Sequence, residues 1–163
     1  MTLSPTSPSG FGISLSSISI FSKDAIKRLM YWLQYIKSRQ KDIQVCENLM
    51  IGAYTAAIGL MNSGSGPSGA LSYILGANFN IPHGIAGAIF LPHIIEHNIN
   101  HGFTYDEIFT SSQIFDLYDK LKINYKSLKQ FNIDDSNIDI LLKGTESLQH
   151  AFDQNPVPFT VND

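Results

Sequence analysis

Gly69-Ala-Leu-Ser-Tyr-Ile-Leu-Gly76, then Asn80-Ile-Pro-His-Gly84, then Ile85-Ala-Gly-Ala-Ile-Phe-Leu-Pro-His93 is the stretch that decides the fold. Two segments of small and apolar residues flank a turn marked by Pro82. Small residues let helices approach closely, and a turn between two such helices presents the His83 imidazole at their junction. A helical domain delivers a metal ligand or a proton donor into a cleft in this way.

Working outward, the pattern stays helical. His83 to Asn98 reads as a strongly buried helix, with Pro92 inside it removing a backbone donor and predicting a kink. Asn98-Ile-Asn-His-Gly102 reads as its termination. Upstream, Gly64 to Gly69 interrupts the chain and Ala70 to Ala77 predicts a short helix. Before that, Asp42 caps a helix whose stripe of Val45, Cys46, Leu49, Met50, Ala53, Ala56, Ala57 and Leu60 is the predicted packing face. Ser22 caps the segment before it, where Ile26, Leu29, Met30, Leu33 and Ile36 recur at helical spacing over about four turns. Downstream, shorter helices are predicted over Tyr105 to Phe109, Ser112 to Leu121, Lys126 to Phe131 and Ser136 to Phe152, the last capped by Asp134 or Ser136. Strand-like alternation is almost absent after Phe21. Residues 1–21, uncharged and rich in Ser, Pro and Gly, read as a loose arm or remnant, and residues 22–163 as one helical domain. The expected fold class is an all-α helical bundle.

Composition narrows the function. At 163 residues the chain suits one domain with a real core. A net charge of −3, with eleven Lys and Arg scattered along the chain, leaves no electrostatic footprint for nucleic acid or an anionic membrane. A small molecule or a protein is the expected partner. Cys46 is the one cysteine, so neither a disulfide framework nor a zinc ribbon can be built, and a reducing, cytoplasmic setting is expected. No charged n-region precedes the apolar run Gly10 to Phe21. The runs Met50 to Met61 and Ile85 to Leu91 are too short to span a bilayer, so the chain is expected to be soluble.

Two further patterns carry possible chemistry. Gly64-Ser-Gly66-Pro-Ser-Gly69 is formally G-x-G-x-x-G, but an Ala-rich helix precedes it where a dinucleotide fingerprint needs a strand, and positions 85 to 95 hold no carboxylate. It reads as a connection between packed helices, with a helix N-terminus that can meet a substrate anion. His93, His97 and His101 are four apart and would share a face of a continuing helix, giving a metal site. The expected break near Asn98 would splay them. His150 sits in an amphipathic segment and needs no functional account.

The block Gly69-Ala-Leu-Ser-Tyr73-x-Leu-Gly-x(5)-Pro82-His83-Gly-x-Ala-x-Ala-Ile-x-Leu-Pro92-His93-x-x-Glu96-x-Asn98 resembles the signature of the iron-containing (group III) alcohol dehydrogenases over about thirty contiguous residues. Weaker resemblance runs back through Asp42 to Gly66 and forward to Asn155-Pro156. The resemblance implies a helical domain that, in the family, follows an α/β dinucleotide-binding domain, with a divalent metal between the two. This chain resembles only the helical part. In the family three histidines and an aspartate hold Fe²⁺ or Zn²⁺, and His83 matches the ligand in the Pro-His-Gly turn. Gly69 stands at the place of a second ligand histidine, fourteen residues earlier, and Tyr73 at that of an active-site histidine, ten residues earlier. The aspartate and remaining histidine align with Gly12 and Ser16. The ligand set is therefore reduced to His83, with Tyr73 able to donate a hydrogen bond or a proton.

By resemblance the metal polarises an alcohol or carbonyl oxygen while NAD(P) exchanges a hydride, on a small alcohol, an aldehyde or a sugar acid. Neither metal nor NAD(P) is expected to be held by this chain alone. The expected function is the metal and substrate side of such an oxidoreductase, as a fragment inactive by itself. The alternatives are a protein-binding or regulatory module built from that domain, and a standalone metal-binding helical protein. Self-association into a homo-oligomer through an exposed docking face is a further expectation.

Overall fold

Ser22 and Leu29 lie seven residues apart on one helix, and Gly59 and Gly52 lie seven apart on the next, so two antiparallel helices meet at equal intervals. The computed structural model describes residues 15–39, 41–105 and 110–160. Helix α1 is Leu15–Trp32 and continues into a short 3-10 turn, Leu33–Tyr35; α2 is Ile43–Ser63. A Cβ at Gly52 would stand 2.9 Å from Leu29 Cδ2, and one at Gly59 would stand 2.6 Å from Ser22 Oγ. The two glycines therefore set how closely α1 and α2 approach. Asp42 caps α2 as expected, accepting from the Gln44 N–H at 2.9 Å.

The face of α2 that packs overlaps the predicted one only in part, at Val45, Leu49 and Ala56. Its buried residues are Val45, Gly52 and Gly59, whereas Cys46, Met50, Ala53, Ala57 and Leu60 are exposed. An apolar stripe assigns burial to side chains, but here the absence of a side chain decides the contact, because only glycine admits a helix at that distance. The same packing moves the start of the first helix back from the expected Ser22. Residues 15–21 are already helical, in spite of their serines, because α1 runs back along α2 past the Ser22–Gly59 contact. Residues 1–14 of the expected arm lie outside the described residues. Among the described residues α2, at 21 residues, is one helix long and apolar enough to cross a membrane by length and composition alone, a test that a helix of a soluble protein also passes.

Helix α3 is Gly66–Phe79 and α4 is His83–Asn100. α3 begins four residues before the predicted Ala70, with Pro67 in its first turn, where the missing N–H costs no intrahelical bond. Asn80 ends it in the left-handed conformation (φ 55°), donating its N–H to Gly76 O at 3.1 Å. Pro82 then starts α4, its carbonyl accepting from Ile85 and Ala86 N–H at 2.9 and 3.0 Å. Three residues thus reverse the chain. α4 continues through Pro92 and past the predicted stop, with His101 as its C-cap.

α5 is Ser111–Leu121, opened by a full capping box in which Thr110 and Gln113 satisfy each other's backbone N–H. Two 3-10 turns, Leu128–Phe131 and Asp135–Asn137, lead to α6, Ile138–Ser147, and α7, Gln149–Phe152. Asp134 caps the second turn through the Ser136 N–H at 2.9 Å. Tyr105 is not helical, and residues 106–109 of the helix predicted there lie outside the described residues. No strand occurs among the described residues, and the all-α expectation holds. α4 is central. Ala86 belongs to one core with Leu75, Ile81 and Ile133, and Ile95 to a second with Ile114, Tyr118 and Tyr125.

Candidate functional site

The reversal at Asn80 to Pro82 lays α4 antiparallel on α3, which places Ser72 opposite His83 and Ser68 opposite Gly87. Ser72 Oγ lies 3.2 Å from His83 Nδ1, and Ser68 Oγ donates to Gly87 O at 3.3 Å. Ser72 is buried to 1% exposure and also donates to Gly69 O at 2.8 Å. His83 itself is exposed at the first position of α4. Tyr73, the residue after Ser72, is 63% exposed. Its hydroxyl has no hydrogen bond among the described residues.

The four-ligand metal set of the resembled family is not assembled among the described residues. Among the described residues no three His, Cys, Asp or Glu side chains come together. At Gly69 the reason is steric as well as chemical: a Cβ there would lie 2.1 Å from Ser65 Oγ and 2.2 Å from Ser65 Cβ. Ser65 therefore stands where a side chain at position 69 would begin. Gly12 lies outside the described residues. One imidazole does not fit a catalytic metal, which takes about three protein ligands, and no metal-dependent step can be drawn for this chain.

The histidines of α4 do not form the alternative metal site. α4 does carry His93 and His97 on one continuous helix, but His97 Nε2 donates to Pro158 O at 2.9 Å and His101 Nδ1 to His97 O at 2.8 Å. The His97 and His101 rings lie 4.1 Å apart between centroids, while the His93 ring turns its contact to Phe115. His93 and His97 line a cavity of about 410 Å³ with Leu71, Phe90, Phe152 and Phe159.

The Gly-rich connection serves the C-terminal segment. The Gly66 N–H donates to Gln154 Oε1 at 3.1 Å, so a side-chain oxygen already caps the first free amide of α3, the helix start that could have met an anion. Gly64, at φ 83°, leaves room for the same side chain, since a Cβ there would lie 2.3 Å from Gln154 Oε1. Beside it, Asn98 and Asn155 exchange amide hydrogen bonds: Asn98 Nδ2 donates to Asn155 Oδ1 at 3.1 Å and Asn155 Nδ2 to Asn98 Oδ1 at 2.6 Å. Asn98 Nδ2 also donates to the Tyr105 hydroxyl at 2.5 Å. Burial pushes the Tyr105 hydroxyl up from its ordinary range, and the bond from Asn98 partly opposes that. Asn98 is buried to 1% exposure with all its polar atoms engaged.

Ser72, Ser65 and the pairing of Asn98 with Asn155 were not picked out from the sequence. Ser72 had a legible signal: a three-residue turn at 80–82 puts residues 72 and 83 opposite each other. The Asn pair spans 57 residues, and only the fold joins it.

Residues 16–112 match the profile of the Fe-containing alcohol dehydrogenase family, C-terminal, a span that runs from the second residue of α1 through α4 and holds the whole His83 region. The chain belongs to this family. It is 42% identical over 52 residues to lactaldehyde reductase of Escherichia coli (strain K12), covering 32% of this chain and 14% of that protein. It is 32% identical over 79 residues to 4-hydroxybutyrate dehydrogenase of Clostridium kluyveri, covering 47% and 21%. Among solved structures, an archaeal halo-thermophilic Red Sea brine pool alcohol dehydrogenase superposes with a TM-score of 0.79 at 18% identity, covering 91% of this chain and 43% of that one. A 1,3-propanediol oxidoreductase gives a TM-score of 0.76 at 17% identity, covering 89% and 42%. The chain thus has the fold of the C-terminal helical domain, and it spans less than half the length of these structures.

Proposed function

We propose that this chain is the metal- and substrate-side helical domain of an NAD(P)-dependent alcohol oxidoreductase, and that it does not turn over substrate by itself. The observation that carries this reading is the His83 region. The Pro-His-Gly turn and the helices that build it are intact, whereas Gly69 offers no ligand and Ser65 crowds the space a ligand would leave from. In this reading His83 is the retained metal-ligand position and Tyr73, exposed beside Ser72, is a hydrogen-bond or proton donor. The substrate class is a small alcohol or aldehyde, the class named for the lactaldehyde reductase and the 1,3-propanediol oxidoreductase, or else a sugar acid. A complete member would add NAD(P), which supplies hydride exchange when bound. Residues 22–163 make up the helical domain, with α1 extending it to Leu15.

The test is direct. Purified chain supplied with Fe²⁺ or Zn²⁺, NAD(P)⁺ and short alcohols is expected to give no turnover, and elemental analysis to give well under one metal per chain. Turnover lost on His83→Ala would overturn the inactivity.

A second reading has its own observation. α2 exposes a continuous apolar face, with Met50 73%, Tyr54 70% and Met61 85% exposed, and such a face marks an interaction surface. The occupant we assign is the α/β half of a family member, because this chain covers only 43% of a structure with the same fold. Light scattering is expected to show a one-to-one complex with such a half. A sharp monomer in its presence would exclude this reading.

A further inference from the structure

Ser72 has one hydroxyl hydrogen and two candidate partners. A carbonyl oxygen can only accept, so the 2.8 Å contact with Gly69 O uses that hydrogen. The contact of Ser72 Oγ with His83 Nδ1, at 3.2 Å, is longer and must then run the other way, with Nδ1–H donating to a lone pair of Oγ. A neutral imidazole carries one N–H, so its Nε2 is left with a lone pair. Because Ser72 is buried at 1% exposure, water does not compete for Oγ, and the hydroxyl cannot turn freely. His83 is exposed, so its Nε2 is within reach of a partner from outside.

We propose that Ser72 is a positioning residue that holds neutral His83 in the Nδ1–H tautomer, so that Nε2 is a hydrogen-bond acceptor for a hydroxyl donor such as an alcohol. Its bearing on an alcohol-handling site rests on the family reading above, while the tautomer is a property of these side chains alone. The chemistry requires no metal. Nε2 accepts a hydrogen bond without any bond being broken, and the packing of Ser65 against Gly69 leaves the imidazole without a neighbouring ligand at that position.

Long-range ¹H–¹⁵N correlation on the labelled chain, near pH 8.5 where an ordinary imidazole is neutral, reads the tautomer. His83→Gln assigns the resonances by removing them. The expected spectrum has a protonated Nδ1 and an unprotonated Nε2 for His83. In Ser72→Ala, the ratio of Nδ1–H to Nε2–H is expected to fall about 2- to 10-fold, the equivalent of one net hydrogen bond. A wild-type spectrum with the proton on Nε2 overturns the proposal whether or not the variant folds, as does a folded Ser72→Ala with an unchanged ratio. Zn²⁺ titration of the same sample tests the family reading separately: stoichiometric, tight binding would overturn the depleted ligand set and leave the tautomer result standing.

Discussion

The molecule contains two antiparallel helix pairs built from small residues, and they use them for different ends. Between α1 and α2 the small residues are Gly52 and Gly59, which remove side chains and bring two helices close, while the hydrogen bond across this pair, from Arg28 Nη1 to Asn48 Oδ1 at 2.5 Å, is made by longer side chains beside them. Between α3 and α4 they are Ser68, Ser72 and Gly87, and each serine spends its hydroxyl on a specific partner across or along the pair. The first pair is a mechanical support. The second sets the Ser72 hydroxyl against the His83 imidazole. A glycine contact fixes distance alone, whereas a serine contact also fixes direction, because a hydrogen bond has angular preferences that dispersion lacks.

This contrast can be broken at its strongest point first. Gly59→Leu would place a branched side chain where Ser22 lies 2.6 Å from the first added carbon, and overpacking of this kind is expected to cost about 3 kcal/mol, read by urea denaturation. A loss under about 0.5 kcal/mol, the range of ordinary surface changes, would show that α1 and α2 separate freely. On α4, Asn98→Ala removes both bonds with Asn155 and the one to the Tyr105 hydroxyl at a half-buried site. The expected loss is about 2 kcal/mol, and the C-terminal segment from Asn155 is expected to become sensitive to protease. Unchanged cleavage would mean that the segment is held by other contacts, such as Gln154 with Gly66.

A smaller effect is confined to alkaline pH. Burial pushes the Tyr118 hydroxyl to about 12, well above its ordinary value near ~10. Between those values the folded chain keeps a proton that the unfolded chain gives up, so stability is full below about pH 10 and falls as pH rises toward 12. Thermal melts are expected to show that decline, and Tyr118→Phe to flatten it. An identical slope in the variant would assign the decline elsewhere. Smallest of all, Met61→Ser on the open face of α2 is expected to change stability by no more than about 0.5 kcal/mol. A larger loss would mean that this face is covered within the folded chain or by a second copy.

Much of the helical layout was legible before the fold. Asp42, Asn80, Pro82 and Asp134 are local punctuation, acting through backbone groups within a few residues, and each stands at a helix or turn boundary in the structure. The misreadings have a common cause. The start of α1, the start of α3 and the packed face of α2 all turn on serine, proline or glycine inside a helix, residues whose local preference is against helix and which tertiary contact overrides. Of the site, His83 and Tyr73 could be marked from the motif, and their neighbourhood could not. Ser65 crowding Gly69 is a matter of ångströms across one helical turn.

Taken alone, the order of residues determined that this chain is helical, that it turns back at Asn80 to Pro82, and that the Gly69 to Asn98 block carries the family's mark. Those properties depend on local backbone chemistry and on short-range spacing. Which face of α2 is buried, which oxygen meets His83 Nδ1, and which residue clasps Asn98 were decided only by the tertiary structure. Each depends on where a second element lies in space, and side-chain hydrogen bonds and close glycine contacts hold over distances far shorter than the uncertainty of any sequence pattern.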